Sequence, residues 1–255
     1  MIDILVVVNY LILLVGFGFL FNLKTPDDYT MGTRTAPWWA IGLSVMATYV
    51  SALSFLGGPA WAYGDGMAAL AIHIQYPLVL FLCVGFFIPF FYNAKLKSIY
   101  DYFEKRFGKT TKLIMSIQFL VGTVLLIGTI VAATSLAVSY ATGLDAVSAI
   151  AIIVAVTTIY TLVGGMNAVI WADVFQSIIF LCVAAIVFVS LYTNIDGSVF
   201  AALDEAGKLK QNWVADPTIA STIWAGVFAM TVYHVTVYGA GQLMVQRTLA
   251  AKSIG

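Results

Sequence analysis

The 255-residue sequence is 62% hydrophobic and only 9% charged, against roughly 25% charged residues in ordinary soluble domains. Because so few charges cannot cover a water-exposed surface, this composition excludes a soluble globular protein and indicates helices solvated by lipid. The formal net charge is zero and the basic residues are scattered, which excludes a basic face for nucleic acid. Cys83 and Cys182 both lie inside apolar runs, which favours packing over a disulfide or a metal site.

Seven apolar segments in the sequence are long enough to cross a bilayer, which takes about 20 residues each. They are predicted at 4–22, 37–62, 67–92, 113–141, 145–164, 171–194 and 219–243. The first segment has no basic region before it and no small-residue cleavage site, so we predict a retained span rather than a signal peptide. We therefore expect an all-α polytopic membrane protein, with residues 1–255 in a single membrane domain.

The lysine and arginine residues predict the orientation of these segments. Ten of the twelve lie in connections expected on one side, at 23–36, 93–112, 165–170 and 246–255. Connections on the other side hold only Lys208 and Lys210. Because basic loops stay cytoplasmic, we expect a cell-membrane protein with its amino terminus outside and Gly255 in the cytoplasm. Two connections also predict short helices, an amphipathic one at 97–107 and one or two turns at 199–209.

Two of the predicted spans carry glycine and proline, which interrupt helices easily. Residues 57–59 are Gly-Gly-Pro in the second span, and residues 239–241 are Gly-Ala-Gly in the seventh. Interruptions at matching positions of two halves are typical of transporters with inverted repeats. These spans are five apart in order, so units beginning with them would have opposite orientations in the membrane. The alternative is that the glycines only allow close helix packing.

Polar side chains follow one face of each of these two spans. They are Ser44, Thr48, Ser51 and Ser54 in the second span, and Thr231, His234, Tyr238 and Gln242 in the seventh. In lipid such faces turn toward the bundle interior or a wet cavity. The third span adds His73, Gln75 and Tyr76. Helix packing would also explain the hydroxyl groups, and a neighbouring side chain would satisfy either histidine, so both interpretations stay open.

Asp173 is the one acidic residue inside the sixth apolar segment. An intramembrane carboxylate suggests an ion site, and a hard oxygen ligand suits sodium. The alternative is a helix cap near the first turn, where a carboxylate is favoured by the helix dipole. The seven segments contain neither lysine nor arginine. An anionic solute would therefore need helix dipoles, or a partner from outside this chain, to balance its charge.

Four stretches resemble the sodium:solute symporter family, in family order and at family spacing. They are ATYVSALSFLGGP at 47–59, SIYDYFEKRF at 98–107, YTLVGGMNAVIWADVFQ at 160–176 and GAGQLMVQRTLAAKS at 239–253. The resemblance implies an inverted-repeat, leucine-transporter-type helical bundle. Its parts would be a leading helix at 4–22, a first five-helix repeat at 37–194 and the first helix of a second repeat at 219–243. We expect an amino-terminal half, truncated after about seven transmembrane helices, that does not transport alone.

The resemblance also implies which residues bind sodium and solute. Backbone carbonyls of Ala47 and Val50 match the shared sodium site, and Asp173 matches an aspartate of a second sodium site used by some members. Solute contacts of relatives match five residues, and the polar faces add Tyr76 and Gln242. The predicted solute site is Ser51, Ser54, His73, Tyr76, His234, Tyr238 and Gln242.

Three positions depart from the relatives. His73 stands where they have an acid or amide, and His234 where a sugar carrier has asparagine. Leu126 matches the arginine that holds the carboxylate of sialic acid, so sialic acid is not the expected solute. Two imidazoles would bind hydroxyls of a polyol, or a carboxylate when protonated.

Together these features predict a sodium-coupled secondary active symporter that imports a sugar, polyol, carboxylate or amino acid by alternating access. Sodium and solute each favour the same outward-facing state, so each strengthens binding of the other. The sequence has no zinc-protease, P-loop or nucleophile-elbow motif, so we expect no enzyme and no cofactor, with Na+ as coupling ion. Expected partners are the solute, Na+, the lipid bilayer and the second repeat. Two alternatives stay open, namely the sensory membrane domain of a signalling protein and a proton-coupled symporter.

Overall fold

The described residues of this computed structural model form helices, with one isolated parallel bridge between Ala36 and Ala251. Residues are described at 2–21, 29, 35–94, 96, 98–195, 197–210, 213–214, 216, 218–219 and 221–252. The prediction of an all-α protein is confirmed.

The helices are numbered in chain order. They are α1 (Ile2–Leu20), α2 (Trp38–Tyr49), α3 (Ala52–Asp65), α4 (Tyr76–Leu82), α5 (Ile88–Asn93), α6 (Ile99–Phe107), α7 (Lys109–Thr142), α8 (Ala146–Thr193), α9 (Val199–Glu205), α10 (Thr231–His234) and α11 (Gln242–Leu249). A 3-10 helix at Gly66–His73 and π-helices at Cys83–Phe87, Ala225–Met230 and Val235–Gly239 connect some of them. Both short helices expected in the connections are present, as α6 and α9.

Four helical stretches are long and apolar enough to cross a membrane by length and composition. They are Ile2–Leu20, Leu53–Asn93, Lys109–Thr142 and Ala146–Thr193. The last holds two helices that meet at a kink, and they correspond to the fifth and the sixth predicted spans, so the connection expected at 165–170 is reduced to that kink. Gly165 alone departs from helical geometry there, with φ 58° and ψ −155°. Because glycine adopts positive φ without a steric penalty, one residue is enough to redirect the chain.

The interruption in the second predicted span lies at Val50 and Ser51, not at residues 57–59. Helix α2 ends at Tyr49, and α3 begins at Ala52 and continues through Pro59. A Cβ on Gly57 or Gly58 would meet nothing within 4 Å among the described atoms, so these glycines show no close packing either. In the seventh predicted span the helix is interrupted at Ala240 and Gly241, as the glycines predicted.

The chain divides into two compact units, each considered separately. Unit 1 comprises residues 1–54, 95–177 and 246–255, and unit 2 comprises 55–94 and 178–245. In unit 1, α1 lies so close to α8 that a Cβ on Gly18 would be 2.8 Å from the Cα of Tyr160. A second contact is a buried cluster formed by Ala36, Ala40, Ile41, Ile170, Val174, Ala250 and Ala251. This cluster holds the end of α11 against α2 and α8.

In unit 2, the 3-10 helix packs directly on the π-helix at Ala225–Met230. A methyl group on Gly226 would overlap the carbonyl oxygen of Ala71, so the two backbones touch. The end of α3 is held by Lys208, whose Nζ donates to the carbonyls of Tyr63 (2.6 Å) and Gly64 (2.8 Å). A basic side chain on the last carbonyls of a helix is a favourable cap.

Candidate ion and solute sites

The interruption between α2 and α3 exposes backbone oxygens of the last turn of α2. The amide of Val50 still donates to the carbonyl of Met46 (3.0 Å), but Val50 itself is extended, with φ −83° and ψ 98°. The amide of Ser51 donates to the hydroxyl of Ser54 (3.5 Å) instead of to a helix carbonyl. A helix that stops leaves the carbonyls of its last turn without partners in the helix, and these are available to a cation. Ala47 and Val50 lie at this position.

Three buried polar side chains form a hydrogen-bonded ion pair in unit 1. Ser44 Oγ donates to Asp173 Oδ2 (2.6 Å), Arg247 Nη2 donates to the same Oδ2 (3.0 Å), and Arg247 Nε donates to Ser44 Oγ (3.0 Å). Asp173 and Arg247 are each only 8% exposed, and Ser44 is fully buried. The serine hydroxyl therefore donates to the acid and accepts from the base at the same time.

Packing of α2, α8 and α11 brings this triad together. Ser44 lies on α2, Asp173 on α8 beyond Gly165, and Arg247 in the last turn of α11. The buried alanine-rich cluster fixes the end of α11, and Ser177 Oγ donates to the carbonyl of Leu43 (2.8 Å), which fastens α8 to α2. All three polar groups then converge on one point.

The structure changes two interpretations of the sequence. Asp173 lies eight residues beyond the non-helical Gly165, past the first turn of the helix that follows it, so it is not a helix cap, and its carboxylate bonds to side chains instead. Arg247 was missed because the sequence placed it in a cytoplasmic connection. The available signal was the pattern after Gly241, where Met244, Val245 and Leu249 are buried with Arg247. That spacing is typical of a short helix with one inward face.

In unit 2 four aromatic rings form a continuous row. His73 stacks on Tyr76 (5.5 Å between centroids), Tyr76 contacts His234 (5.0 Å), and His234 stacks on Tyr238 (5.5 Å). Gln75 Nε2 donates to His234 Nδ1 (2.7 Å), and both residues are buried. Four of the predicted solute residues therefore lie together. The close approach at Gly226 brings the segments that carry them into contact.

Two buried polar atoms in or beside this row lack a hydrogen-bond partner within the described part of the chain, namely His73 Nδ1 in the row and Gln75 Oε1 beside it. Leaving such a group unsatisfied costs about 1–3 kcal/mol. A polar ligand that bonded to both atoms would recover that free energy. Gln75 was noted in the sequence for its polarity but was left out of the predicted solute site.

The remaining predicted residues lie near the two helix interruptions. Ser51 and Ser54 flank the break after α2, where the hydroxyl of Ser54 donates to the carbonyl of Tyr49 (3.3 Å). Gln242 is the first residue of α11, directly after the break at 240–241. No group of three or more His, Cys, Asp or Glu side chains that could hold a metal ion occurs among the described residues.

Comparison with known proteins finds similar sequences among sodium-coupled transporters. The sequence model of the sodium:solute symporter family matches residues 29–255. Sodium-coupled monocarboxylate transporter 1 of Xenopus laevis is 32% identical over 234 residues, which are 90% of this chain and 38% of that protein. The sodium/sialic acid symporter SiaT of Proteus mirabilis is 33% identical over 251 residues, covering 95% and 50%. The sodium/iodide cotransporter of Homo sapiens is 31% identical, covering 90% and 36%.

A solved structure of a substrate-bound, outward-open Na+-coupled sialic acid symporter is also similar. It superposes with a TM-score of 0.88 at 30% identity, covering 100% of this chain and 55% of that one. The fold is therefore the leucine-transporter type that the resemblance implied. The chain spans about half or less of the length of these proteins.

Proposed function

Because the chain belongs to the sodium:solute symporter family, we propose that it is the amino-terminal part of a symporter that imports a small polar solute with sodium. The observation that carries this proposal is the helix interruption at Val50 and Ser51. Unwound backbone within a span is tolerated where it lines an ion or solute pathway, and its free carbonyls coordinate sodium. A second repeat would supply the other ligands of this site, starting from the helices beyond α11.

Each cation site has its own residues in this proposal. The carbonyls of Ala47 and Val50 bind the shared sodium ion, and the Asp173 carboxylate binds a second one. Both positions offer hard oxygen ligands, which sodium prefers over nitrogen or sulfur ligands. Ser44 lies three residues before Ala47 on the same helix and touches Asp173, so the two positions are physically connected.

The aromatic row of unit 2 is the proposed solute site. His73 Nδ1 and Gln75 Oε1 offer unused hydrogen-bonding capacity, and Tyr76 and His234 offer ring faces. A solute with hydroxyl groups would satisfy both unused atoms. Unit 2 contains no arginine, and Lys208 is held by helix-end carbonyls, so a carboxylate would draw on a protonated imidazole, on helix dipoles or on a partner from the second repeat. Sugars, polyols, carboxylates and amino acids therefore stay candidates, and the substrates named for relatives belong to those proteins.

Uptake into proteoliposomes tests the coupling. The protein, together with its second repeat, is reconstituted and given an inward sodium gradient and a panel of labelled solutes. We expect sodium-dependent uptake of at least one solute, and loss of part of the sodium dependence in Asp173→Asn. Asp204→Asn, an exposed acid on α9, is the matched control. Uptake that persisted without sodium and collapsed with a protonophore would instead establish proton coupling. A kinase domain encoded downstream of Gly255 would instead identify the chain as the sensory membrane domain of a signalling protein.

The solute site has a separate test. His73→Ala and His234→Ala should each raise the KM for solute about tenfold, since each removes one good hydrogen bond or ring contact from the site. Thr236→Ala changes an exposed residue of the π-helix that directly follows His234, and it should leave KM unchanged. Normal solute affinity in both histidine variants would remove the aromatic row from the site.

The orientation that we propose places the amino terminus outside and α6 in the cytoplasm. A membrane-impermeant maleimide distinguishes the two sides in intact cells, provided that Cys83 and Cys182 are first replaced. Asp204→Cys should label from outside, and Lys105→Cys only after permeabilisation. The reverse pattern would overturn the orientation inferred from the basic residues.

A further inference from the structure

The ion pair between Asp173 and Arg247 has a consequence for coupling that rests on the proposed sodium function of Asp173. We propose that Arg247 is the internal counter-ion of Asp173 in the sodium-free state, and that sodium binding at Asp173 displaces it. Arg247 would thus set the sodium affinity of this position without being a sodium ligand itself.

The geometry leaves one carboxylate oxygen available for an ion. Both hydrogen bonds to the carboxylate, from Ser44 and from Arg247, fall on Oδ2. Oδ1 accepts no hydrogen bond from any described residue. A sodium ion can therefore approach Oδ1 while Ser44 still holds Oδ2. The carboxylate would then bind a cation on each side for as long as Arg247 stayed in place.

Burial makes that doubly occupied state unfavourable. Asp173 and Arg247 are 8% exposed, so the pair has little water to screen an extra charge. One carboxylate with one guanidinium is neutral, and one carboxylate with one sodium ion is also neutral. A carboxylate with both cations carries a net positive charge, which is costly inside a membrane protein. Sodium and Arg247 consequently compete for the same carboxylate.

Displacement of Arg247 would also release α11 from one of its contacts. Arg247 lies on α11, a helix of 8 residues that follows the interruption at Ala240 and Gly241. Its side chain ties α11 to Ser44 on α2, the helix whose end offers the Ala47 carbonyl. Release of Arg247 therefore links sodium binding at Asp173 to movement of α11. In this role Arg247 is a positioning residue for ion coupling.

Direct binding of radioactive sodium to the purified protein with its second repeat tests this competition. Removal of the competing charge in Arg247→Gln should strengthen sodium binding about tenfold, within the range typical of coupled sites. Arg247→Lys keeps the charge but loses the guanidinium fork, so a smaller rise in the same direction is expected. In an Asp173→Asn background, Arg247→Gln should change sodium affinity no further. Arg106→Gln removes an exposed arginine of α6 and should have no effect.

The outcomes separate this inference from the proposed function. If the wild-type protein bound no sodium, sodium coupling itself would be wrong, and the role of Arg247 would fall with it. If the wild type bound sodium but Arg247→Gln and Arg247→Lys bound it equally well or more weakly, the arginine would be purely structural. Should Arg247→Gln fail to fold, Arg247→Lys alone decides the matter, because its positive charge still neutralises the buried carboxylate.

Discussion

The buried pair of Asp173 and Arg247 predicts a strongly non-additive pattern of stability. At 3.0 Å, with an effective dielectric constant of about 20, the two charges attract each other by about 5–6 kcal/mol. Desolvation of both ions offsets most of that attraction, so the intact pair adds little net stability. Arg247→Met, however, leaves a carboxylate buried without its counter-ion, and we expect it to cost about 3–5 kcal/mol.

The double variant Asp173→Asn/Arg247→Met removes both charges and should cost only about 1–2 kcal/mol, because the introduced amide is neutral and Ser44 still offers it a hydrogen bond. Equilibrium unfolding in mixed detergent micelles without sodium measures these differences. Asp204→Asn and Arg106→Met, at exposed positions, should stay within about 0.5 kcal/mol of wild type. A double variant less stable than Arg247→Met alone would refute the reasoning, since it would mean that the two side chains stabilise the fold independently.

Three packing contacts make further predictions. Gly226→Ala places a methyl group against the Ala71 carbonyl, so it should cost about 1–3 kcal/mol in unfolding and raise the KM for solute in uptake assays. Lys208→Met removes the Nζ that donates to two carbonyls at the end of α3, so it should cost about 1–2 kcal/mol locally and speed amide exchange across α9, measured by mass spectrometry. Gly18→Val forces α1 away from Tyr160, so it should lower the unfolding midpoint in detergent.

Matched glycines serve as controls for the packing predictions. A Cβ on Gly16 of α1, or on Gly85 in the π-helix at Cys83–Phe87, would meet nothing within 4 Å. Gly16→Ala and Gly85→Ala should therefore leave stability and transport nearly unchanged. Equal losses of stability in Gly226→Ala and Gly85→Ala would show that helix propensity, rather than contact with Ala71, determines the loss.

Local features of the sequence predicted much of the fold correctly. Apolar runs of about 20 residues identify spans because lipid cannot satisfy open backbone groups. The glycines at 239–241 marked a real interruption, and the aromatic and polar residues of 97–107 predicted α6. The family resemblance placed the break near Val50 correctly. The Gly-Gly-Pro sequence at 57–59 predicted a break about two turns later, where the helix is in fact unbroken. Glycine and proline permit an interruption, but a helix inside a membrane protein tolerates them when its surroundings supply the missing contacts.

The class of protein and its long apolar helices were therefore predictable from the sequence, because hydropathy and turn chemistry act over a few neighbouring residues. Which buried polar side chains form hydrogen bonds with each other depends instead on tertiary packing. Asp173 meets Arg247 from 74 residues away, and Gln75 meets His234 from 159 residues away. These pairs depend on where Gly165 bends α8 and where Gly226 lets two backbones touch. No local pattern encodes such distances, since they follow from the packing of whole helices.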